Sequence, residues 1–208
     1  MTNPFLIGER VLLRPIEESD AETYARWINN PEIRRYLLVR FPMSVREEKK
    51  WIESLSDGGT RRDVALAIER KNDQKHIGSV GLHEIDWIHR RAMTGSFICP
   101  PSLRGKGYGT EAKKLLLDYA FGELGLRSLY AFALEGSEAS MRALEKQGYR
   151  RGGVFRKAHL VKGEWVDGIY YDILLEDWEA LRSEEAAARP GKKTQKTKAA
   201  PRRKGTAK

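Results

Sequence analysis

The spacing of the apolar residues changes twice between residues 91 and 134, and this change restricts the possible folds more than any other feature of the sequence. Residues 91–99 have the character of a strand, and from Thr110 the apolar residues recur at helical spacing until Gly125. The short apolar run 129–134 then predicts a buried strand. A helix that links two neighbouring strands makes them parallel through a right-handed crossover. The chain is therefore expected to contain a mixed α/β sheet with helices packed on it.

The remaining segments supply further helices and antiparallel strands. Two Ser-x-x-Glu capping boxes, at Ser19 with Glu22 and at Ser44 with Glu47, predict the starts of two early helices. The other predicted elements are a strand around residues 11–16, a hairpin at 64–68 and 77–85, a helix at 138–147 and a last hairpin at 154–160 and 165–175. With 208 residues the chain is long enough for one α/β domain with a full core, but not for two ordinary domains.

Positive charge is concentrated at the end of the chain. Residues 183–208 hold nine basic and two acidic residues, a net charge of +7, whereas residues 1–182 carry only +2 of the total of +9. The terminal segment has no aromatic residue and almost nothing large to bury, so we expect a disordered basic tail at 183–208 after a single domain at 1–182. Such a tail can hold RNA or ribosomes by phosphate attraction, or it can serve only as a solubilising extension.

The composition excludes several classes of protein. A single cysteine, Cys99, allows neither a disulfide framework nor a thiolate zinc cluster. No apolar run approaches the ~18 residues that a membrane span needs, and the start of the chain lacks the basic end and apolar stretch of a secretory signal. We therefore expect a protein of the reducing cytoplasm that is neither secreted nor embedded in a membrane.

A glycine-rich loop lies between the predicted strand 91–99 and the helix from Thr110. Its sequence is Arg104-Gly105-Lys106-Gly107-Tyr108-Gly109. Glycines let several backbone N–H groups converge, the helix N-terminus adds partial positive charge, and Arg104 and Lys106 add full charges, which together favour a phosphate group. A plain tight turn explains the glycines as well. Because the loop matches neither a Walker loop nor a dinucleotide turn, the expected phosphate ligand is a mononucleotide with a long arm.

The same loop resembles the R/Q-x-x-G-x-G/A signature of the GCN5-related N-acetyltransferase (GNAT) superfamily, with Arg104, Gly107 and Gly109 at the fixed positions. The resemblance covers about residues 7–178 and is strongest to the RimJ/RimL-type branch, with some likeness to spermidine and diamine acetyltransferases. The segments outside the loop that resemble the RimJ/RimL-type branch are Leu13-Arg14-Pro15 with Ser19-Asp20, Ile77-Gly78 with Gly81, Thr110-Glu111-Ala112, and Ser140 with Leu144-Glu145-Lys146 and Gly148-Tyr149. The segments that resemble the spermidine and diamine acetyltransferases are Glu84-Ile85-Asp86 and His89-Arg90-Arg91-Ala92.

This resemblance implies a fold, a co-substrate and a reaction. The fold would be a single domain whose mixed sheet is splayed open between the strand ending near Cys99 and the strand at 129–134. The pantetheine arm of acetyl-CoA would lie in the splay and its diphosphate on residues 104–110. The acetyl group would pass directly to an amine nitrogen, without a metal or a covalent enzyme intermediate. The residues expected to contact acetyl-CoA are Ile98, Arg104, Gly105, Lys106, Gly107, Tyr108, Gly109, Thr110 and Ser137.

Aminolysis of a thioester requires a base for the amine, a site for the oxyanion and a proton for the departing thiolate. For the base we favour Glu84, near the end of a strand that should border the cleft, with His83 as the alternative. Because strand residues alternate, only one of the two can point inward. A rim carboxylate and a hydrogen-bonded structural histidine are the simpler interpretations of these residues. Glu111 suits the first turn of a helix for electrostatic reasons alone.

For the acid, the resemblance implies Ser140, which matches the serine of RimL-type enzymes, although a small residue in a first helical turn needs no catalytic role. Leu144 occupies the position at which the family often has a catalytic tyrosine, so the tyrosine mechanism is not available. Ser137 replaces the asparagine that usually binds the pantetheine arm, which is expected to weaken that contact. Cys99 has no paired histidine and is interpreted as a packing residue.

The acceptor is expected to be a protein N-terminus or a small primary amine. A polyamine would need an acidic pocket, for which the sequence offers only scattered candidates such as Glu32, Glu84 and Asp86. The aromatic candidates for the acceptor side, which core or dimer packing explains equally well, are Trp27, Tyr36, Phe41 and Trp51. The alternatives to an enzyme are a non-catalytic coenzyme A-binding or ribosome-associated module and a nucleic-acid binder that uses the tail. A homodimer is compatible with the sequence.

Overall fold

The computed structural model describes residues 3–37, 39–56 and 61–188, and its central feature is one eight-stranded mixed sheet. The strands are β1 Leu6–Ile7, β2 Val11–Pro15, β3 Val64–Arg70, β4 Lys75–Asp86, β5 Arg91–Ile98, β6 Ser128–Leu134, β7 Arg150–Val161 and β8 Glu164–Leu174. They lie in the order β1-β2-β3-β4-β5-β6-β8-β7. Neighbouring strands are antiparallel except β5 and β6, which are parallel, as predicted from the crossover.

Helices cover both faces of the sheet. They are α1 Ala21–Asn29, α2 Pro31–Leu37, α3 Val45–Ser54, α4 Tyr108–Asp118, α5 Glu138–Lys146 and α6 Leu175–Ala188. Alternation along β3 assigns the faces, because Leu66 packs in a cluster with Leu116 of α4, whereas Ala67 packs with Tyr24 of α1 and Ile52 of α3. Helices α1 and α3 therefore lie on one face and α4 on the other. Within the described ranges, no helix has the length and apolar character needed to span a membrane.

The second predicted capping box is confirmed and the first is displaced. Ser44 accepts a hydrogen bond from the amide of Glu47, whose carboxylate accepts one from the amide of Ser44 at 2.8 Å. The first box was predicted at Ser19, but it is formed by Glu17 and Asp20. Asp20 is bound by both terminal nitrogens of Arg14, at 2.7 and 2.9 Å, and this fixed carboxylate accepts from the amide of Glu17, so helical geometry begins earlier than predicted.

Helix α6 continues to Ala188 and so includes the first six residues of the tail predicted from residue 183, while the division into domain and tail stays a prediction. Helix formers such as Glu184, Glu185 and the alanines that follow them favour continuation. Two ion pairs also fix this part of the helix to α4, one between Arg182 and Asp118 at 2.6 Å and one between Glu185 and Lys114. The remainder of the predicted tail, 189–208, lies outside the described residues.

Candidate functional site: an open strand edge, a glycine loop and an apolar cavity

The sheet opens between β5 and β6. These strands pair only where Arg91–Met93 lie beside Ser128–Tyr130. Beyond that point β5 stays paired with β4 as far as Ile98, and β6 stays paired with β8 as far as Leu134. The two facing edges therefore carry backbone N–H and C=O groups without a strand partner, which a bound chain containing amide groups can satisfy. The predicted splay is confirmed.

A buried hydroxyl pair fixes the closed end of the splay. The Thr94 Oγ1 atom lies 2.8 Å from the Tyr149 hydroxyl, and it donates a hydrogen bond to the carbonyl of Tyr130 at 3.4 Å. Burial raises the pKa of Tyr149, so the phenol stays neutral and its hydroxyl is held in the hydrogen bond with Thr94 of β5. In the sequence, Tyr149 stands out only as part of a segment that resembles the family.

The glycine loop adopts a backbone that only glycine accommodates well. Gly105 and Gly107 have φ angles of +72° and +86°, in the left-handed region. A Cβ atom at Gly107 would also lie 2.8 Å from Arg10 Nη2, and one at Gly109 would lie 3.3 Å from Ile98 Cγ1. Glycine at 109 therefore lets α4 approach the end of β5, and glycine at 107 lets the chain turn into α4.

The amides of this loop have no acceptor within the described part of the chain. No described group accepts from the amides of Gly105, Lys106 or Gly107, and the first amides of α4 have no partner inside the helix. Amides at a helix N-terminus carry partial positive charge and bind anions. The Lys106 ammonium forms no ion pair with the described residues and adds a full charge. These features are suited to an anion, and the phosphate site at 104–110 stays a prediction.

Arg10 holds the loop in place. Its Nη1 donates to the carbonyl of Lys106 at 3.0 Å, and its Nε donates to Glu111 Oε2 at 2.9 Å. Glu111 Oε1 accepts from the amide of Arg10 at 2.8 Å. Glu111 thus ties the first turn of α4 to β2, a more specific role than the electrostatic one predicted from sequence. Arg104 folds back onto the strand and donates from Nε to the carbonyl of Ile98 at 3.1 Å.

Two serines lie at the start of α5, just past the end of β6. Ser137 is buried, and its hydroxyl donates to the Ser140 hydroxyl oxygen at 3.2 Å. Ser140 is exposed and keeps its own O–H free to donate to another group. Leu144 packs in the core, and Cys99 is 4% exposed with its thiol pKa raised by burial. A buried, protonated thiol agrees with the packing role predicted for Cys99.

His83 and Glu84 line separate cavities. They lie where the register of β4 against β5 shifts, and Glu84 has a left-handed φ of +53°. Glu84 Oε2 accepts from the Tyr130 hydroxyl at 2.9 Å; burial of Tyr130 and this carboxylate raise the pKa of Tyr130 to about 12. His83 Nδ1 lies 3.1 Å from Asp63 Oδ1. The role of Glu84 as the base stays a prediction.

The cavity beside His83 lies on the face covered by α1 and α3 and encloses about 280 Å³. Gly81 and Gly95 lie opposite each other on its floor, and Cβ atoms there would lie 3.4 and 3.2 Å from His83 Nε2. The two glycines therefore make room for the imidazole. The larger apolar side chains of the lining are Tyr24, Ile28, Leu37, Met43, Trp51 and Phe97.

Among the described lining residues of this cavity, Glu48 is the only acid. Its side chain belongs to a residue that is 1% exposed, and its Oε1 atom has no hydrogen-bond partner in the described structure. Burial, together with the neighbouring charge of Glu47, raises the pKa of Glu48 to about 7. No motif in the sequence marks Glu48, although its spacing to Trp51 and Ile52, three and four residues later, places it on the apolar face of α3.

The other acids proposed for an acceptor site lie elsewhere. Glu32 is exposed on α2. Asp86 accepts from the backbone amide of His89 at 2.9 Å and so stabilises the turn after β4. His89 itself has a side chain that is 69% exposed, which agrees with its interpretation as a loop residue.

The aromatic candidates divide into three groups. Trp51 lines the cavity, and Trp27 packs behind the lining with its ring centroid 5.9 Å from that of Phe97. Phe41 is 79% exposed and does not line the cavity. The Tyr36 side chain lies outside the described part of the structure.

Residues 10–150 match the family described as acetyltransferase (GNAT) domain. The chain belongs to the GNAT acetyltransferase family. The uncharacterized N-acetyltransferase YoaA of Bacillus subtilis is 31% identical over 172 residues, which cover 82% of this chain and 97% of that protein. The spermidine N(1)-acetyltransferase of Escherichia coli K12 is 29% identical over 160 residues, covering 76% of this chain and 83% of that protein.

Solved structures share the fold of this acetyltransferase. The spermidine N-acetyltransferase of Vibrio cholerae in complex with CoA and spermine superposes with a TM-score of 0.76 at 23% identity, covering 83% of this chain and 99% of that one. The GNAT fold predicted from the loop and its flanking segments is therefore confirmed. The family match and these relatives make the chain an acyl-CoA-dependent N-acetyltransferase.

Proposed function

We propose that this acetyltransferase transfers the acetyl group of acetyl-CoA to a primary amine, a protein N-terminus or a small amine, by direct attack of the nitrogen on the thioester. One observation supports this most strongly: residues 95–97 of β5 line the apolar cavity on one face of the sheet and also border the open edge of the splay. A thioester held along that edge would reach an amine in the cavity without a carrier residue.

The donor side fits acetyl-CoA. The unpartnered amides of residues 105–107 and the first turn of α4 would hold the diphosphate, with the Lys106 ammonium as a counter-charge. The open edge of β5 up to Ile98 would pair with the amides of the pantetheine arm, and Ser137 lies on the opposite arm of the splay. Tyr108 and Thr110 occupy the first turn of α4 beside these amides.

Starting from the ammonium form of the acceptor, the reaction removes two protons from nitrogen, one before the attack and one from the tetrahedral intermediate, and adds one proton to sulfur. The neutral amine attacks the thioester carbon, the C–N bond forms, and the carbonyl electron pair moves to oxygen. Collapse of this intermediate breaks the C–S bond and releases the thiolate. Of the two predicted bases, His83 lines the acceptor cavity, and its Nδ1 contact with Asp63 orients Nε2 over Gly81 and Gly95, whereas Glu84 lines another cavity. We therefore favour His83 over Glu84 as the base.

Ser140 is the proposed proton donor to the thiolate. Its hydroxyl oxygen accepts from Ser137, so its own proton is available, and it lies at the start of α5, on the β6 side of the splay. The alternatives from sequence, a non-catalytic coenzyme A-binding module and a contact of the basic tail with RNA or ribosomes, stay predictions. The names of the spermidine-acetylating relatives favour a small amine among the possible acceptors.

The test has two readouts on the full chain. Saturating acetyl-CoA, at about 100 times its Kd, should stabilise the protein by about 2.7 kcal/mol and raise the Tm by about 5–10 °C. Addition of an acceptor from a panel of N-terminal peptides and small amines should release free thiol. Binding without thiol release across the panel would support the non-catalytic module, and the absence of a Tm shift would contradict the proposed donor site.

A further inference from the structure

The geometry points to Glu48 as the group that receives the amine: the cavity beside His83 takes a primary amine with a single positive charge on an apolar body, and Glu48 removes a proton from its ammonium group. This inference rests on the proposed function, because it concerns the acceptor side of that reaction. The amine can come from a small arylalkylamine or from a peptide with an apolar first residue, since both present the same chemistry.

The first argument is the state of the Glu48 carboxylate. An ionised carboxylate is costly to bury without a partner, and such groups are normally paired or hydrogen-bonded. Glu48 is 1% exposed, its Oε1 lacks a hydrogen bond, and no described residue forms an ion pair with it. The exposed Glu47, by contrast, accepts hydrogen bonds at Oε2 from the amide and the hydroxyl of Ser44. A bound ammonium group would supply the partner that Glu48 lacks among the described residues.

The second argument is the wall around this carboxylate. The ring centroid of Tyr24 lies 5.6 Å from that of Trp51 and 6.3 Å from that of Phe97, so three aromatic rings form one continuous surface. Aromatic faces attract a cation and pack against an apolar body. With a volume of about 280 Å³, the cavity is at the small end of ligand sites, which usually enclose about 300–1,000 Å³.

These surroundings favour proton transfer within the amine–carboxylate pair. A charged pair in an apolar site must lose the hydration of both ions, whereas a neutral pair does not. The proton therefore passes from nitrogen to a carboxylate oxygen of Glu48, which breaks one N–H bond, forms one O–H bond and requires no further reactant. The raised pKa of Glu48 brings its proton affinity closer to that of the amine. The product is the neutral amine that attack on the thioester requires, and His83 remains available for the second proton.

The same wall argues against a polyamine. A second or third ammonium group of spermidine would lie against side chains such as Ile28, Leu37 and Met43, and the described lining offers no second carboxylate. Burying an unpaired charge there is unfavourable. Selectivity for a single charge therefore follows from the number of acids in the lining.

The experiment compares wild type, Glu48→Gln and the matched control Glu53→Gln, which alters an exposed carboxylate on the same helix. The acceptors are phenethylamine, spermidine and an otherwise uncharged, C-terminally amidated peptide that begins with Phe. The kcat/KM from thiol release is measured from pH 5.5 to 10. Acetyl-CoA binding is measured separately for every variant, without acceptor, to show that each variant is folded and that the donor site works.

We expect wild type to prefer phenethylamine or the peptide over spermidine by at least about tenfold, and whichever of the two is better identifies the source of the amine. The kcat/KM of wild type should rise through about pH 7, as Glu48 loses its proton. In Glu48→Gln, kcat/KM should be about 10²- to 10⁴-fold lower at pH 7.5. It should recover only as the pH approaches the pKa of the amine, near 10. Glu53→Gln should match wild type.

The inference would be overturned if Glu48→Gln kept the activity and the pH profile of wild type. It would also be overturned if wild type preferred spermidine, or if wild type bound acetyl-CoA but acetylated no single-charge amine. Loss of acetyl-CoA binding in wild type would instead refute the proposed function itself, and the inference with it. Glu48→Asp provides a second variant if glutamine impairs folding: it keeps the carboxylate and should retain the rise near pH 7 with a reduced kcat.

Discussion

Replacing Glu48 by glutamine is expected to stabilise the fold above neutral pH and to have less effect as the pH falls. Burial raises the pKa of Glu48 from 4.5 to about 7 in the folded chain. The folded state thus binds the proton more tightly than the unfolded state does. As the pH rises above about 4.5, the unfolded chain ionises first and is stabilised relative to the native state. Wild type therefore loses stability between about pH 4.5 and pH 7, and the variant does not.

The magnitude follows from the two pKa values. Each unit of difference between them corresponds to about 1.4 kcal/mol, so the raised pKa costs the wild type about 3 kcal/mol of unfolding free energy at pH 8. At pH 5 only the beginning of this loss has occurred, about 0.8 kcal/mol. The stability difference between Glu48→Gln and wild type should therefore grow by about 2.5 kcal/mol from pH 5 to pH 8.

The assay is urea unfolding of both proteins at pH 5 and pH 8. Any effect of the glutamine that does not depend on pH, such as an unpaired amide N–H in the cavity, cancels when the two differences are subtracted. The exposed Glu53→Gln variant should show no such growth. A stability difference that is the same at both pH values would refute the reasoning, because it would mean that the Glu48 carboxylate ionises as readily in the folded as in the unfolded chain.

Three further predictions concern the donor site and the proton transfers. Gly107→Ala should weaken acetyl-CoA binding at least about tenfold by calorimetry, because of its left-handed φ and the contact with Arg10, whereas Gly122→Ala, with open space around it, should bind normally. His83→Gln should lower kcat about 10²- to 10⁴-fold and Glu84→Gln less than about tenfold; the reverse order would assign the base to Glu84. Ser140→Ala should lower kcat at an unchanged KM for acetyl-CoA, and an unchanged kcat would exclude Ser140 as the acid.

The parts of the fold that depend on local periodicity were predictable. The change from strand to helical spacing gave β5, α4 and β6 and their parallel pairing, because a crossover of this length allows few other arrangements. The parts that depend on distant contacts were not. The first capping box is displaced because Arg14 holds Asp20, and α6 extends past residue 182 because Glu185 and Arg182 pair with α4.

The same distinction applies to the site. The glycine loop was predictable because its glycines are adjacent in sequence and their φ angles are a local property. Tyr149 and Thr94 are 55 residues apart in the sequence, and their hydroxyls come together only in the folded chain. Glu48 was missed because a glutamate after a capping box is usually a solvated first-turn residue. Its helical phase with Ile52 was the available signal, and it predicts burial but not the cavity.

The donor and acceptor sides of this enzyme depend on different parts of the structure. Arg10 and Glu111 fix the loop to β2 and α4, which belong to the main core, whereas the acceptor cavity is enclosed by α1 and α3 over a smaller cluster. Within the described part of the chain, the two sides meet at strand β5, where Gly95 lets His83 approach. A substitution in α1 or α3 can therefore change the shape or charge of the cavity while the loop amides keep their positions. This pair of helices is therefore where a substitution can alter the acceptor cavity without altering the donor loop, and Glu48 is the acid that its described part contributes to the lining.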